Sequence, residues 1–442
     1  MAKQTDQTKE CPIVAVSTPP GRGAIAIVRL SGSGSAEVAG KMFTPFPSRP
    51  NELKHGVLCA GNVRDSAMCV YFAAPHSCTG EEAAEFHTHG GVFTAQAVVR
   101  ACIKNGCRLA QNGEFTKRAF LNGKLSLAAA EGVIDVIDAE SGRAVNCGHN
   151  LLTGKLDEKI LAMQDELTEI IASVTAVLDY PEEDLELPAM AKIKKQAGKI
   201  LADAEKLLCT AEEGKLIKNG VDVVIAGAPN TGKSSLFNSL VGFDRAIVAE
   251  SAGTTRDTLA QSVLYKDIKF NFTDTAGMRE TGDYVEKEGV LRAQAAVASA
   301  DIVLEVYDAS QKIPHKKETD GRVICVFNKI DLVPSFTKPQ EGVAVSALTG
   351  KNINALKEAI FKKTKLDKIV AGDALLTNSR HADCLKHAAD ALKRAIAAAE
   401  KTTPDCVAAE LTEAWQAVGE ITGVTANEEI ITRVFSKFCL GK

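Results

Sequence analysis

The stretch that decides the fold is Val221-Asp-Val-Val-Ile-Ala226, followed by Gly227-Ala-Pro-Asn-Thr-Gly232-Lys233-Ser234. The apolar run at 221–226 predicts a buried strand, and a helical pattern follows at 235–241. The segment between them fits G-x-x-x-x-G-K-S, a loop whose backbone N–H groups surround a phosphate together with the N-terminus of the next helix. The sequence therefore predicts a nucleotide-binding domain of α/β type.

Each polar residue of this loop has an expected task. Lys233 can bridge the β- and γ-phosphate oxygens and stabilise them during transfer, and Ser234 can ligate Mg²⁺. The residues expected to contact the nucleotide here are Asn230, Thr231, Gly232, Lys233, Ser234 and Ser235.

Further strands are predicted at 268–272, 301–306, 323–327 and 342–345, with helical segments between them. This alternation predicts a parallel sheet wrapped by helices. The carboxyl ends of such strands are where nucleotides bind, and polar motifs follow several of them.

Two motifs are expected at the phosphates. Asp274-Thr275-Ala276-Gly277 follows the strand at 268–272; Asp274 should reach Mg²⁺ through water, and the Gly277 N–H should contact the γ-phosphate. Gly253-Thr254-Thr255-Arg256-Asp257 precedes that strand, where Thr255 is expected to close on Mg²⁺ and the γ-phosphate.

Two other motifs select the base. The carboxylate of Asp331, in Asn328-Lys329-Ile330-Asp331, can accept both N1–H and N2–H of guanine, a donor pair that adenine lacks. Ser346-Ala347-Leu348 follows the next strand and can supply a backbone N–H to the guanine O6. Together they predict a protein that binds and hydrolyses GTP.

The residue that orients the attacking water is not in its usual place. Met278 follows Gly277, where a Ras-type enzyme has a glutamine, and a methionine cannot orient water. Glu286 is a candidate for this task; an exposed helix carboxylate without a catalytic role is the alternative.

Composition narrows the function class. The chain has 442 residues, a formal charge of −4 and twelve cysteines without a C-x-x-C pair. The length predicts two or three domains, and the charge excludes a generic polyanion-coating protein. No apolar run is long enough for a membrane helix, and residues 1–10 resemble neither a secretory nor a transit signal. We expect a cytoplasmic protein whose cysteines, Cys439 apart, are buried free thiols.

The remaining chain divides into two kinds of pattern. Strands at 12–17 and 23–30 and a helix at 91–103 predict an α+β region. Helices are predicted at 128–139, 151–178 and 189–217 and again over 378–442, where Thr425-x-x-Glu428 fits a capping box. Helical regions on both sides of the α/β domain suggest that this domain is inserted.

Several signatures together resemble one family, the tRNA modification GTPase MnmE (TrmE). They are Thr18-Pro-Pro-Gly-Arg-Gly, Thr79-Gly-Glu-Glu with His89-Gly-Gly, Gly113-Glu-Phe-Thr-Lys-Arg-Ala-Phe-Leu-Asn-Gly-Lys124, the inserted GTPase and Cys439-Leu-Gly-Lys442.

The resemblance implies a multidomain chain. Its parts are an α+β N-terminal domain that binds tetrahydrofolate and dimerises (1–122), an all-α helical domain (123–218 and 371–442) and an inserted Ras-like α/β P-loop G domain (219–370). It also implies a reaction at C5 of the wobble uridine of certain tRNAs, which gains an aminomethyl or carboxymethylaminomethyl group. The one-carbon unit comes from a 5-formyl- or 5,10-methylene-tetrahydrofolate. The partner is the FAD-dependent flavoprotein MnmG (GidA), bound by a homodimer within a heterotetramer or larger complex.

The resemblance also assigns residues. Arg29, Glu85, Lys124 and Lys442 fall on folate-contacting positions, and Cys439 on a functionally needed cysteine; a small buried thiol is its alternative. K⁺ is expected to be held by Asn230, by the carbonyls of Ala249 and Ser251 and by an oxygen of Thr254. Glu286 falls on the water-orienting carboxylate.

Three other interpretations remain open. His76, Cys78, His87 and His89 crowd one stretch, although their spacing is not typical of zinc. A ribosome-assembly GTPase switch would carry an added RNA-binding module, and a purely scaffolding GTPase would show no folate dependence.

Overall fold

The structure is a computed structural model that describes residues 11–179, 186–242, 260–275, 291, 294–313, 320–338, 341–368, 374–401 and 403–442. The chain forms two compact units. The first unit comprises Met1–Ile134, Leu151–Glu182 and Ala408–Lys442, and the second comprises Asp135–Asn150 and Glu183–Val407.

The first unit contains a seven-stranded sheet in the order β3-β4-β5-β6-β2-β1-β7. Its strands are β1 (Ile13–Val16), β2 (Ile25–Ser31), β3 (Phe43–Thr44), β4 (Lys54–Ala60), β5 (Val63–Phe72), β6 (Ala83–His89) and β7 (Arg108–Leu109). Neighbours are antiparallel except β1 and β7, which run parallel.

The helices of the described chain follow the apolar periodicity of the sequence. They are α1 (Ser35–Met42), α2 (Val92–Lys104), α3 (Glu114–Leu121), α4 (Leu127–Ile137), α5 (Gly142–Leu152), α6 (Lys155–Asp179), α7 (Glu186–Leu208), α8 (Ala211–Asn219), α9 (Lys233–Gly242), α10 (Ile353–Lys363), α11 (Ser379–Lys401), α12 (Pro404–Thr422) and α13 (Glu428–Phe435).

The sheet of the first unit buries one face against α2. Val28 and Leu30 of β2 and Phe86 of β6 are fully buried there with Val98 of α2. Because side chains alternate along a strand, the intervening Arg29 lies on the opposite face. This alternation separates the hydrophobic core from the charged face that carries predicted site residues.

The second unit contains a six-stranded sheet in the order β13-β12-β11-β8-β10-β9. Its strands are β8 (Val221–Gly227), β9 (Ala260–Tyr265), β10 (Ile268–Asp274), β11 (Ile302–Asp308), β12 (Val323–Asn328) and β13 (Val343–Ala344). Each predicted strand is present, which confirms the α/β architecture. The prediction of a wholly parallel sheet is wrong at one edge, because β9 pairs antiparallel with β10.

Two long predicted helices are interrupted. The segment predicted as a helix over 151–178 has a break at Gly154, which has a left-handed φ of 81°. The helix predicted over 189–217 is broken at Thr210. Its hydroxyl donates to the Leu207 carbonyl at 2.7 Å and accepts from the Leu376 N–H at 3.2 Å, and such side-chain bonds compete with helix continuation.

The predicted capping box is wrong. The N-cap of α13 is Asn427, whose side chain accepts from the Ile430 N–H at 2.9 Å. Thr425 instead donates to the Gln416 carbonyl at 2.6 Å. Asparagine is at least as good an N-cap as threonine, and here it stands next to the first helical residue.

The expectation of buried cysteines is also wrong for part of the set. Four cysteines are buried, namely Cys69, Cys102, Cys107 and Cys325, whereas six are exposed, namely Cys11, Cys59, Cys78, Cys209, Cys406 and Cys439. Among the described residues, no helix is long and apolar enough to cross a membrane. The domain limits at 122, 218 and 370 stay predictions.

Candidate nucleotide and folate sites

The phosphate loop joins β8 to α9 through backbone conformations that favour particular residues. Gly232 and Asn230 adopt left-handed φ values of 87° and 62°. A Cβ on Gly232 would collide with the Asn328 carboxamide, so only glycine fits. Thr231 donates its hydroxyl to the Ala228 carbonyl at 3.0 Å and closes the loop on itself.

The groups predicted to bind Mg²⁺ lie together. Ser234, in the first turn of α9, donates its hydroxyl to a carboxylate oxygen of Asp274 at 2.8 Å. A hydroxyl and a carboxylate are oxygen ligands of the kind that Mg²⁺ prefers, so the pair fits the ion. Thr255, the other predicted ligand, lies outside the described residues.

Lys233 is buried at the base of the loop, and its ammonium donates to the Ala228 carbonyl at 2.8 Å. Ser235, two positions on, is exposed. Thr275 ties β10 to β8, since its hydroxyl donates to the Ile225 carbonyl at 2.8 Å. Lys233 thus stands where a phosphate bound at the helix N-terminus would meet its charge.

Asn328, at the end of β12, connects the phosphate loop to the predicted base-binding segment. Its amide donates to the Thr231 carbonyl at 3.0 Å and its carbonyl accepts from the Ala347 N–H at 3.0 Å. The side chain is almost fully buried. Because Ala347 donates to Asn328, that N–H already has a protein acceptor.

The base-binding residues gather beside it. Ser346, fully buried, donates its hydroxyl to the Asp331 carboxylate at 2.5 Å, and Leu348 is 85% exposed. This hydrogen bond orients the carboxylate that is predicted to read guanine.

Lys329 adopts a left-handed φ of 65°, and its ammonium donates to two acceptors. One is the Asn230 carbonyl in the phosphate loop at 2.6 Å, and the other is the Asp308 carboxylate at 2.7 Å.

The sequence analysis did not identify Asp308. Burial by itself would raise the pKa of this carboxyl, but the Lys329 ammonium and the hydroxyl and N–H of Ser310 outweigh it and lower the pKa below its ordinary value. The signal that could have found Asp308 is its place at the carboxyl end of β11, directly beside Asn328 in the sheet.

Several predicted residues of the nucleotide site lie outside the described residues. They are Ala249, Ser251, Thr254, Thr255, Ala276, Gly277, Met278 and Glu286. Of the predicted K⁺ ligands, only Asn230 is described.

In the first unit, Arg29 and Glu85 lie opposite each other on β2 and β6, and the Arg29 Nε donates to Glu85 Oε1 at 2.7 Å. The other carboxylate oxygen lies 3.2 Å from His87 Nε2. Burial alone would raise the pKa of Glu85, but His87 and Arg29 lower it below its ordinary value. Arg29 lies within β2, two residues before the end of the strand.

The main chain of Lys442 and the side chain of Lys124 contact segments that are tied to this face. The Arg29 guanidinium lies 5.9 Å from the centroid of the Phe115 ring, and the Phe115 N–H donates to the main-chain oxygen of Lys442 at 3.2 Å. Lys124 donates to the Pro75 carbonyl at 3.3 Å. The loop that contains Pro75 is tied to this face because Thr79 and Ser31 hydrogen-bond at 2.7 Å.

Cys439 is exposed, so the alternative of a buried thiol is wrong. It borders a cavity of about 290 Å³ that is lined by Val16, Thr18, Pro19, Pro20, Gly21, Ala26, Gly91, Val92, Ala95, Gln96, Cys439 and Leu440. Ala26 and Arg29 are three residues apart in one strand and therefore point to opposite faces. The cavity is thus separate from the predicted folate residues, none of which lines it.

The zinc alternative finds no support. Within the described ranges, no group of three or more His, Cys, Asp or Glu is arranged to hold a metal ion. His89 instead pairs with Asp65, with 2.6 Å between Nδ1 and a carboxylate oxygen, and His87 pairs with Glu85.

We predict that Gly232→Ala abolishes tight nucleotide binding. The left-handed backbone costs an L-residue roughly 1–2 kcal/mol, and the clash with Asn328 adds to it, so the Kd for a fluorescent GDP analogue should rise more than about tenfold. Gly242→Ala is the matched control, because among the described residues no atom lies within 4 Å of its added Cβ. Equal affinity in the two variants would contradict the steric argument.

Comparisons with known proteins point to one family in both units of the chain. A family model described as the MnmE helical domain matches residues 127–439, and one described as the GTP-binding protein TrmE N-terminus matches residues 12–124. A protein named tRNA modification GTPase MnmE from Clostridioides difficile (strain 630) is 37% identical over 97% of this chain and 99% of its own length. The proteins of that name from Moorella thermoacetica and Lactococcus lactis subsp. lactis are 38% and 39% identical, each over 97% of this chain and 99% and 98% of their own. The chain therefore belongs to the tRNA modification GTPase MnmE family.

Proposed function

We propose that this chain binds and hydrolyses GTP and uses the hydrolysis in the modification of tRNA. The observation that carries the proposal is that the phosphate loop, Asp274 and the guanine-reading residues meet at the carboxyl ends of β8, β10 and β12, in a chain of this family. Generic nucleotide binding would not require Asp331 beside Ser346.

Guanine selection follows from charge and geometry. Asp331 can accept N1–H and N2–H of guanine, and the Ser346 hydroxyl holds the carboxylate in place. Lys233 and the N–H groups at the start of α9 would bind the phosphates. Ser234 and Thr255 would hold Mg²⁺, with Asp274 reaching it through water, and the ion would neutralise charge on the phosphate oxygens.

Hydrolysis further requires a group that stabilises charge in the transition state. We propose that two G domains dimerise across their nucleotide faces and that K⁺ takes this role, held by Asn230 and by Ala249, Ser251 and Thr254. We also propose that Glu286 orients the water. The position of Asn230 supports this proposal, because its carboxamide belongs to the exposed phosphate loop between β8 and α9.

The K⁺ proposal predicts that GTP hydrolysis is much faster in KCl than in NaCl at equal ionic strength. The smaller Na⁺ would not reach the same set of oxygens, so the rates should differ by at least about tenfold, the equivalent of 1.4 kcal/mol of transition-state stabilisation. Steady-state phosphate release measures this difference. Equal rates in the two salts would contradict a role for K⁺.

We propose that the N-terminal part binds a 5-formyl- or 5,10-methylene-tetrahydrofolate at Arg29, Glu85, Lys124 and Lys442. The cationic side chains suit the glutamate carboxylates of a folate, and the ionised Glu85 suits N–H donors of a pterin. The one-carbon unit would become the methylene that joins C5 of the wobble uridine to the nitrogen of ammonium or glycine, giving an aminomethyl or carboxymethylaminomethyl group. The FAD-dependent partner would be MnmG (GidA), bound by a homodimer in a heterotetramer or larger complex.

We propose that the exposed Cys439 takes part in this chemistry, without assigning a step to it. We expect the complex to act in the cytoplasm.

We predict that Arg29→Ala weakens folate binding without altering GDP affinity. The change removes a guanidinium and leaves Glu85 with His87 as its remaining partner, so the Kd for 5-formyl-tetrahydrofolate should rise about tenfold. Calorimetry measures both ligands. Arg100→Ala is the control, since Arg100 lies over Phe93 of α2, 5.7 Å from the ring centroid, on the other side of the sheet. Unaltered folate binding in Arg29→Ala would refute the site.

The whole function is tested in cells that lack this chain. We predict that mass analysis of their tRNA finds wobble uridines without the C5 group and that the intact chain restores it. Asp331→Asn should not restore it, because an amide cannot accept both guanine donors. Normal wobble uridines in the deletion strain would contradict the proposed function and favour a GTPase switch without modification chemistry.

A further inference from the structure

Asp308 is not among the residues predicted to contact the nucleotide, but its hydrogen bonds connect it to residues that are. Its side chain is about 4% exposed at the carboxyl end of β11. One carboxylate oxygen accepts the Ser310 N–H at 2.9 Å and the Ser310 hydroxyl at 2.6 Å. The other accepts the Lys329 ammonium at 2.7 Å. One carboxylate oxygen of Asp308 is thus held by Ser310, and the other is paired with the positive charge of Lys329.

Lys329 also forms a hydrogen bond to the phosphate loop. The same ammonium donates to the Asn230 carbonyl at 2.6 Å. Lysine has a flexible four-carbon stem, and two acceptors in different segments, the phosphate loop that follows β8 and the end of β11, restrict the conformation of this stem. The strands concerned are neighbours, because β11 pairs with β8 on one side and with β12 on the other.

We propose that Asp308 is a positioning residue that fixes Lys329 as a bridge between the base-binding loop and the phosphate loop, and thereby slows nucleotide release. The inference rests on the proposed binding of guanine nucleotides. Asp308 acts through Lys329 and touches no phosphate, so it affects how long the nucleotide stays bound and not the rate of hydrolysis once the site is saturated.

The bridge differs in kind from the neighbouring link made by Asn328. That side chain joins the two loops through neutral hydrogen bonds to the Thr231 carbonyl and the Ala347 N–H. Lys329 joins them through a charge, and a hydrogen bond between charged groups is stronger than a neutral one. Replacing the Asp308 carboxylate by an amide keeps the size of the side chain and removes the charge.

The test begins with the release of a fluorescent GDP analogue from the full chain. The parent must bind it; a parent that does not bind GDP would overturn the proposed function and this inference together. In Asp308→Asn, release should be about tenfold faster, the size expected when a charge-assisted hydrogen bond becomes neutral. The KM for GTP should rise with kcat unchanged. Parent-like release from Asp308→Asn would overturn only the inference.

Asp320→Asn is the matched control. Asp320 is also paired with a cation, Arg322 at 2.9 Å, in the same unit, and this arginine donates to the Ala298 and Ala300 carbonyls at 3.1 and 3.0 Å. Release from this variant should equal that of the parent. Equal acceleration in the two variants would point to a general loss of stability and overturn the proposal.

A double-mutant cycle separates positioning from a merely structural role. If Asp308 acts through Lys329, adding Asp308→Asn to Lys329→Met should accelerate release little beyond Lys329→Met alone. Additive effects would contradict the proposal. If Asp308→Asn does not fold, Ser310→Ala replaces it, because it removes one anchor of the carboxylate and should accelerate release about threefold; unchanged release would then overturn the inference.

Discussion

The buried carboxamide of Asn328 is the constraint on which the nucleotide site depends. It has one donor engaged with the phosphate loop and its acceptor engaged with the segment that begins at Ser346. Losing either partner would leave a polar atom buried without a hydrogen bond, which costs about 1–3 kcal/mol. The loop proposed to bind phosphates and the segments proposed to read the base are therefore held at one separation, which would allow one nucleotide to be bound at both ends.

This constraint explains why small and left-handed residues cluster around Asn328. Gly232 allows the carboxamide to approach the loop, and Asn230 and Lys329 both take left-handed conformations so that the carbonyl of one meets the ammonium of the other. Left-handed backbone in residues other than glycine is costly and persists where surrounding contacts enforce it. Here the contacts that enforce it are those that bring the two loops together.

The parts of this site that could be predicted are those encoded by contiguous residues. The strand, glycine-rich loop and helix around Lys233 are read from local pattern, and so is Asp331 after its strand. The place of Asp308 after a strand is a local signal too, but its contact with Lys329 could not be read in this way, because Lys329 is 21 residues away and the pairing depends on β11 and β12 being neighbours. The antiparallel edge strand β9 was missed for a related reason, since strand direction is a property of pairing and not of composition.

Local reading also failed where two polar residues competed for one task. Thr425 and Asn427 are both good N-caps, and the sequence pattern favoured Thr425 because a glutamate follows three residues later. The structure has Thr425 bonded to Gln416, so tertiary contact decides which residue begins α13. The exposed cysteines follow the same logic: a thiol is buried only where the fold places it against apolar neighbours.

The charged face of the sheet in the first unit, on which Arg29 and Glu85 lie, depends on the register between β2 and β6. Arg29 stands opposite Glu85, and a slip of one residue between β2 and β6 would move Arg29 to the hydrophobic face. Ser31, two residues along on the same face, donates to Glu81 at 2.9 Å, and Arg118 donates to the same carboxylate oxygen at 2.9 Å.

Signature residues from distant segments thus fix one another on this face. Arg118 also donates to Glu114. Burial alone would raise the pKa of Glu114, but Arg108, the Gln111 N–H and Arg118 lower this pKa below its ordinary value. Glu81 is paired with Arg118, and Glu114 with Arg108 and Arg118, so the charges of these carboxylates are compensated by their own arginines. The predicted folate residues comprise three cations, Arg29, Lys124 and Lys442, and one carboxylate, Glu85. Together they keep the excess of positive charge that suits an anionic ligand.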